Sequence, residues 1–117
     1  MMIKIFAKEI VGENAISMQS GKNLYERLFK PLMSGEEIEV DFNGVELFAS
    51  PFFNASIGFL LKDIEVSALQ KKLKLTNLST VGHQLLNHVI SNAIKYYEKE
   101  AKSEEAMKII IKNVEES

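Results

Sequence analysis

Residues 37–61, EIEVDFNGVELFASPFFNASIGFLL, decide the fold of this chain. Apolar and polar side chains alternate over 37–42, which predicts a strand. Asn43-Gly44 is a strong turn dipeptide. Ser50-Pro51 then predicts the start of a helix, because serine suits the N-cap and proline the first helical position. Strand, loop and helix together indicate an α/β crossover unit whose loop lies at one end of a sheet.

The helix after Pro51 is apolar on nearly every side. One stripe consists of Phe53, Ile57, Leu60, Leu61 and Ile64, and a second of Phe52, Ala55 and Phe59. Such a helix either lies in the core or presents one face to a partner. We assign Phe53 to the core. We expect Phe52 and Phe59 to be partly exposed contacts, because aromatic side chains at a helix start often anchor an interface.

The same patterns predict the remaining elements outward from this unit. We expect strands at 2–6, 15–18, 73–78 and 107–112, and helices at 22–33, at 65–72 and from Ser79 or Thr80 onwards. The strand at 15–18 is expected to pair with the first strand. The last helix is expected to bury the stripe Val81, Leu85, Val89, Ala93 and Tyr97.

Alternating strands and helices indicate an α/β fold with a mixed sheet of four to five strands flanked by helices. The 117 residues are enough for one domain and too few for two. We therefore predict a single domain over 1–117, with its core at about 16–97 and a C-terminal strand at about 107–112.

Composition and charge exclude several classes of protein. The 14 basic and 16 acidic residues give a net charge of −2, which lacks the basic footprint of a nucleic-acid-binding protein. Without cysteine, the chain can form neither a disulfide nor a thiolate metal site. No apolar run reaches the ~20 residues of a membrane span, and the N-terminus lacks a signal-peptide pattern. We expect a soluble, cytoplasmic protein that binds neither nucleic acid nor membrane.

Residues for catalysis or metal binding do not stand out in the sequence. There is no glycine-rich phosphate loop and no nucleophile with a base beside it. His83 and His88 are five residues apart, which places them ~140° apart around a helix. Pairs of ligating histidines prefer i, i+4 spacing. We therefore predict no catalytic residues, no metal and no cofactor.

Two polar residues near the loop each allow two interpretations. Asp41 either caps the Asn43-Gly44 turn by accepting backbone N–H bonds, or joins a ligand site at the carboxyl edge of the sheet. Ser50 either only caps its helix, or is also a phosphoacceptor that brings two negative charges to the helix start. We favour structural roles for Asp41, Asn43, Gly44 and Pro51, and capping for Ser50.

The segments VDFNGVELFASPFFNASIG and KLKLTNLS, with the helix ending in NAIKYY, resemble STAS-like domains of unknown function found in bacteria. These domains are distant relatives of the sulfate-transporter and anti-sigma-factor-antagonist (STAS) domain. The resemblance covers roughly 16–97, and its most specific part is Asp41-Phe42-x-Gly44-Val45. It implies a mixed sheet flanked by helices and a non-enzymatic role, in which the loop and helix start after the Asp-Phe strand bind a kinase-like ATPase.

The chain departs from the antagonist pattern where antagonists carry a phosphorylated serine. Alignment on Asp41 puts Pro51 at that position, and proline cannot be phosphorylated; Ser50 stands one residue earlier. Ser17-Met18 replaces a Ser-Arg pair of many relatives, and Asn54-Ala55 replaces acidic residues. A phosphoswitch is therefore not expected.

The function that the sequence favours is a regulatory protein-interaction module without enzymatic activity. The expected contacts are Phe48, Ser50, Phe52, Asn54 and Phe59, in the loop and helix start at 48–59. The resemblance implies a regulatory protein, such as a histidine-kinase-like ATPase, as partner. The alternative is a sensor that holds a small molecule at the sheet end near Asp41, Asn43 and Ser50. A homodimer paired through the strand at 107–112 also stays open.

Overall fold

A computed structural model describes residues 2–97 of the chain. In chain order, its elements are β1 (Met2–Phe6), α1 (Ala7–Val11), β2 (Asn14–Ala15), α2 (Met18–Met33), β3 (Glu37–Asp41), β4 (Leu47–Phe48), α3 (Ser50–Phe53), α4 (Val66–Lys72) and β5 (Leu73–Thr76). A π-helix, Asn54–Gly58, follows α3 directly, and residues 80–97 lie in a last helix, α5. The strand predicted at 107–112, with the dimer built on it, lies outside the described residues.

Every strand pair in residues 2–97 is parallel. β1, β3 and β5 form one sheet in the order β1-β3-β5, and β2 and β4 form a second sheet of two strands. The α/β class is therefore confirmed. The prediction of a mixed sheet of four to five strands is wrong for this part of the chain. The sheets have three and two strands, and their parallel neighbours are joined by longer crossover connections in place of tight hairpins.

The strand predicted at 15–18 is also wrong in its length and its partner. β2 ends at Ala15 and pairs with β4, not with β1. It ends there because Ser17 caps α2, its hydroxyl oxygen accepting a hydrogen bond from the backbone N–H of Ser20 at 3.0 Å. As a result, α2 begins at Met18, four residues before the predicted start at Lys22.

The strand order places the crossover helices on one face of the three-stranded sheet. Crossovers between parallel strands are right-handed, and β1, β3 and β5 follow one another in one direction. The helices between them therefore share a side. Ile5, Ile38 and Val40 point towards these helices and are buried. On the other face, Lys4, Glu39 and Lys74 form a row of alternating charge across the three strands.

The core lies between the sheet and the helices. Its fully buried large side chains include Leu24, Leu28, Ile38, Val40, Phe42, Phe52, Phe53, Ile57, Leu60 and Val89. In α5, the buried face passes through Gly82, Leu86 and Val89. Val81 is exposed, so the prediction that it belongs to the buried stripe is wrong. The predicted cap is confirmed as Ser79, whose hydroxyl oxygen accepts a hydrogen bond from the Gly82 N–H at 3.1 Å.

Two glycines allow helices to approach the π-helix closely from both sides. A Cβ at Gly21 of α2 would lie 2.3 Å from the carbonyl oxygen of Phe52. A Cβ at Gly58 would lie 2.9 Å from Cγ1 of Val89 in α5. Both distances are too short for a real Cβ. The α3–π segment (residues 50–58) therefore packs against the backbone of α2 at Gly21 and against the Val89 side chain of α5 at Gly58.

We expect Gly21→Ala to lower the free energy of unfolding by about 1–3 kcal/mol, because the new methyl group meets the backbone of Phe52. In a helix without this contact, alanine would be favoured over glycine by about 1 kcal/mol. Urea unfolding followed by circular dichroism measures the change. Asn23→Ala, on the exposed side of α2, is the control and is expected to be neutral or slightly stabilising. A gain in stability from Gly21→Ala would contradict the close approach.

Candidate functional site

Asp41 ends β3 and is buried at the carboxyl end of the sheet. Its Oδ1 accepts hydrogen bonds from the side-chain amide of Asn77 at 2.8 Å and from the backbone N–H of Asn43 at 2.9 Å. The Nζ of Lys4 lies 3.8 Å from its Oδ2. The hydrogen bonds from Asn77 and Asn43, with a smaller contribution from Lys4, hold the pKa of Asp41 below its usual range.

The structural interpretation of Asp41 is therefore the one that the structure supports. Its carboxylate caps the turn at Asn43, where Gly44 has a φ of +86° that glycine accommodates. It also ties the end of β3 to Asn77 after β5. Sequence reasoning missed Asn77, because the parallel pairing that brings it to Asp41 joins residues 36 positions apart.

We expect the stability difference between the native chain and Asp41→Asn to depend on pH. A folded-state pKa below the unfolded value means that the ionised carboxylate stabilises the folded chain above about pH 4. This contribution is lost as the pH falls through the folded-state pKa. Asp41→Asn is therefore expected to be less stable than the native chain at pH 7, with a difference that shrinks below about pH 4.

Urea unfolding over a series of pH values measures this difference. Glu46→Gln, at an exposed position of the loop before β4, is the control and is expected to be neutral at pH 7. A difference between Asp41→Asn and the native chain that stays constant from pH 7 to pH 3 would contradict the role of the ionised carboxylate.

The helix after the loop begins one residue earlier than predicted. Ala49 occupies the N-cap and Ser50 is the first helical residue, so no side chain caps α3. The prediction that Ser50 caps the helix is therefore wrong. The cause is the pairing of β4 with β2: the N–H of Ala49 donates to the carbonyl oxygen of Ala15 at 3.0 Å, which keeps Ala49 extended. Pro51 is therefore the second residue of α3, one position after the predicted first helical position.

The predicted contact stripe of this helix divides into a buried and an exposed part. Phe52 is fully buried, with its ring edge-on to that of Phe53 at 5.1 Å between centroids, so the prediction that it faces a partner is wrong. Phe48 is half-buried and stacks on Phe53 at 5.6 Å. Phe59, in contrast, is 41% exposed.

The π-helix explains this division. A π-helix has wider turns than an α-helix, so residues after it lie on a different face from the one that 3.6-residue spacing predicts. Asn54–Gly58 separates Phe52 from Phe59, and the first ring is consequently buried while the second is exposed. The hydroxyl of Ser56, itself buried, donates to the carbonyl oxygen of Phe52 at 2.8 Å and satisfies that oxygen within the wider turn.

We expect Phe52→Ala to lower the free energy of unfolding by about 3–5 kcal/mol, because it leaves a cavity among fully buried side chains. Phe59→Ala removes an exposed ring and its edge contact with Tyr25, so its effect is expected to be about 1 kcal/mol. Thermal and urea unfolding of both variants measure the contrast. Equal losses for the two variants would contradict the assignment of Phe52 to the core and Phe59 to the surface.

The surface next to Phe59 is an apolar groove of about 450 Å³ between α2 and the α3–π segment. Met18, Gln19, Lys22 and Tyr25 line it from α2, and Asn54, Ala55 and Phe59 from the other side. Met18 is 68% exposed. The rings of Tyr25 and Phe59, one from each side of the groove, meet edge-on at 5.0 Å. We call this feature the α2–π groove.

The α2–π groove contains two of the five predicted contact residues, Asn54 and Phe59. Phe48 and Ser50 are half-buried and do not line it. Sequence reasoning missed its α2 side, because Met18 was assigned to a strand. The available signal was the spacing of Met18, Lys22 and Tyr25, since positions i, i+4 and i+7 share one face of a helix.

The charges at the α2–π groove are mostly positive. Lys22 lines it, and the Nζ of Lys62 lies 5.6 Å from the centroid of the Phe59 ring. None of the lining residues is acidic. Burial, and secondly the negative charge of Asp63, raise the pKa of Tyr25 above its ordinary value, so its hydroxyl is neutral at pH 7.

Two further observations concern the described part as a whole. Nowhere in residues 2–97 do three His, Asp or Glu side chains come together as metal ligands would. His83 and His88 are both exposed. Across the same range, the helices are too short or too polar to traverse a lipid bilayer.

Comparison with protein families gives a match over the middle of the chain. A family model described as "STAS-like domain of unknown function (DUF4325)" matches residues 20–83, more than half of the chain. The matched part contains five of the seven residues that line the α2–π groove; Met18 and Gln19 precede it. No curated protein and no solved structure matches the chain.

Proposed function

Because the chain belongs to the family of STAS-like domains of unknown function, we propose that it is a non-enzymatic regulatory module that docks a partner protein. The docking surface of the proposal is the α2–π groove. The partner is a regulatory protein, and a histidine-kinase-like ATPase is the class that the resemblance to STAS antagonists implies.

The observation that carries the proposal is the exposure of Met18 and Phe59 on opposite walls of one concave apolar surface. Aromatic side chains and methionine are enriched at protein interfaces, and methionine adapts its shape to a partner. Complete burial of a Phe or Met side chain stabilises an assembly by about 1.5–3 kcal/mol. Two such anchors in one groove can therefore supply a substantial part of a binding free energy.

The proposed docking surface differs from the one that the sequence predicts at 48–59. Asn54 and Phe59 stay in it, Phe52 leaves it for the core, and the α2 side joins it. The alternative of a small-molecule site at the sheet end has less support. Oδ1 of Asp41 already accepts two hydrogen bonds and Oδ2 faces Lys4, so both carboxylate oxygens already have partners within the protein.

We expect the double variant Met18→Gln/Phe59→Gln to lose the partner while it stays folded. Full-length tagged chain is purified from its native cells and the recovered proteins are quantified by mass spectrometry. The control is Met33→Gln/Val81→Gln, which also removes two exposed apolar side chains, at positions that are 53% and 60% exposed and do not line the groove. At least one protein should be recovered with the native chain and the control, and about tenfold less with the groove variant.

Recovery of the same proteins in the same amounts with both double variants would contradict docking at the α2–π groove. Circular dichroism and thermal unfolding of each variant establish that a loss of partner does not reflect a loss of fold. The same mass spectra report whether Ser50 carries a phosphate.

A further inference from the structure

We infer that the segment of the partner that occupies the α2–π groove is an amphipathic α-helix whose apolar stripe is flanked by acidic side chains. This inference rests on the proposed function and adds the shape and the charge of the ligand.

The shape of the groove favours a helix as occupant. Its α2 wall follows Met18, Lys22 and Tyr25 along one helix face over a rise of about 10 Å. Tyr25 lies beside Phe59, and Gly21 lies beside Ala55, so α2 and the α3–π segment run side by side in the same direction. Two adjacent helices leave a groove that accepts the side chains of a third helix as ridges.

An extended peptide would bind less well at this surface. Strand addition needs a row of free backbone N–H and C=O groups at a sheet edge. The walls of the α2–π groove are helical, so beyond the first turn of α2 their backbone groups are paired within the helices and form no strand edge. A helix brings its own backbone hydrogen bonds and needs only side-chain contacts from the groove, in the i, i+3/i+4, i+7 pattern of helix-in-groove recognition.

The charge of the groove favours acidic flanks on that helix. Lys22 belongs to one wall, and the Nζ of Lys62 lies 5.6 Å from the centroid of the Phe59 ring of the other, so each wall has a basic side chain. Asp63, whose charge acts on Tyr25, reduces this positive charge. The chain as a whole has a net charge of −2, so the positive groove is a local feature. Complementary charges at an interface mainly increase the association rate and select among partners.

A membrane surface fits these observations less well than a helix. The apolar groups line a concave groove, whereas a bilayer presents a broad surface. Each basic residue near an anionic bilayer contributes only about 1 kcal/mol, and the groove offers two. An overall negative chain is also repelled by anionic lipid.

Two synthetic peptides of about 16 residues, stapled as helices, test the inference with the full-length chain. Both carry leucine at i, i+4, i+7 and i+11; one has glutamate and the other lysine on both flanks. Fluorescence anisotropy measures their dissociation constants at low and high salt. We expect the glutamate peptide to bind the native chain at least about tenfold more tightly at low salt, and the difference to shrink at high salt.

Charge reversal gives the decisive comparison. Lys22→Glu/Lys62→Glu is expected to reverse the preference, so that the lysine peptide binds more tightly. Lys30→Glu/Lys71→Glu changes the net charge by the same amount at exposed positions outside the groove, and is expected to keep the native preference.

The possible failures are distinguishable. Equal binding of both peptides, abolished by Met18→Gln/Phe59→Gln, would contradict the inferred acidic flanks of the ligand helix, while the groove would still be a docking surface. Peptide binding that is insensitive to Met18→Gln/Phe59→Gln would overturn the groove as the binding site of a helix. If neither peptide binds but phosphatidylserine vesicles bind and Lys22→Glu/Lys62→Glu abolishes this, the ligand is a membrane and the inference is wrong. If nothing binds, the inference is also wrong, while partner recovery from cells still decides the proposed function.

Discussion

The contact between Gly21 and the backbone at Phe52 is the constraint on which the candidate site depends. There, α2 approaches the α3–π segment so closely that a single methyl group would meet the Phe52 carbonyl oxygen. The same oxygen accepts the hydrogen bond of the buried Ser56 hydroxyl, so it is satisfied although it lies in the interior. Gly58 in turn leaves room for the side chain of Val89 from α5. The distance between the walls of the groove follows from this packing.

The π-helix determines which aromatic side chains of this segment are buried and which are exposed. It changes the helical register between Phe52 and Phe59, which directs the first ring into the core and leaves the second beside Tyr25. π-Helical turns within α-helices occur frequently at functional sites, because a wider turn is retained only where something compensates for it. In this chain, the wider turn places Asn54 and Phe59 on the wall of an apolar groove.

Membership in the family of STAS-like domains constrains the fold more than the function. The sheet end at Asp41, where ligands of open α/β sheets often bind, is used here for internal hydrogen bonds to Asn43 and Asn77. The exposed apolar side chains lie instead in the α2–π groove, between helices. The proposed recognition of another protein therefore rests on this groove and not on the sheet end.

The sequence by itself determined the features that depend on local chemistry. These are the strands at β1, β3 and β5, the turn at Gly44, a cap at Ser79 or Thr80 and the α/β class, since alternation, positive φ and capping are properties of a few adjacent residues. The family resemblance also followed from short segments of sequence.

Only the tertiary structure decided which segments meet. A strand of two residues has no pattern that names its partner, so the pairing of β2 with β4, and through it the start of α3 at Ser50, came from long-range contacts. Helical periodicity assumes 3.6 residues per turn, and therefore misplaced Phe52 across the π-helix. The groove itself exists only where two helices pack at the distance that a glycine permits, which is a property of neither helix alone.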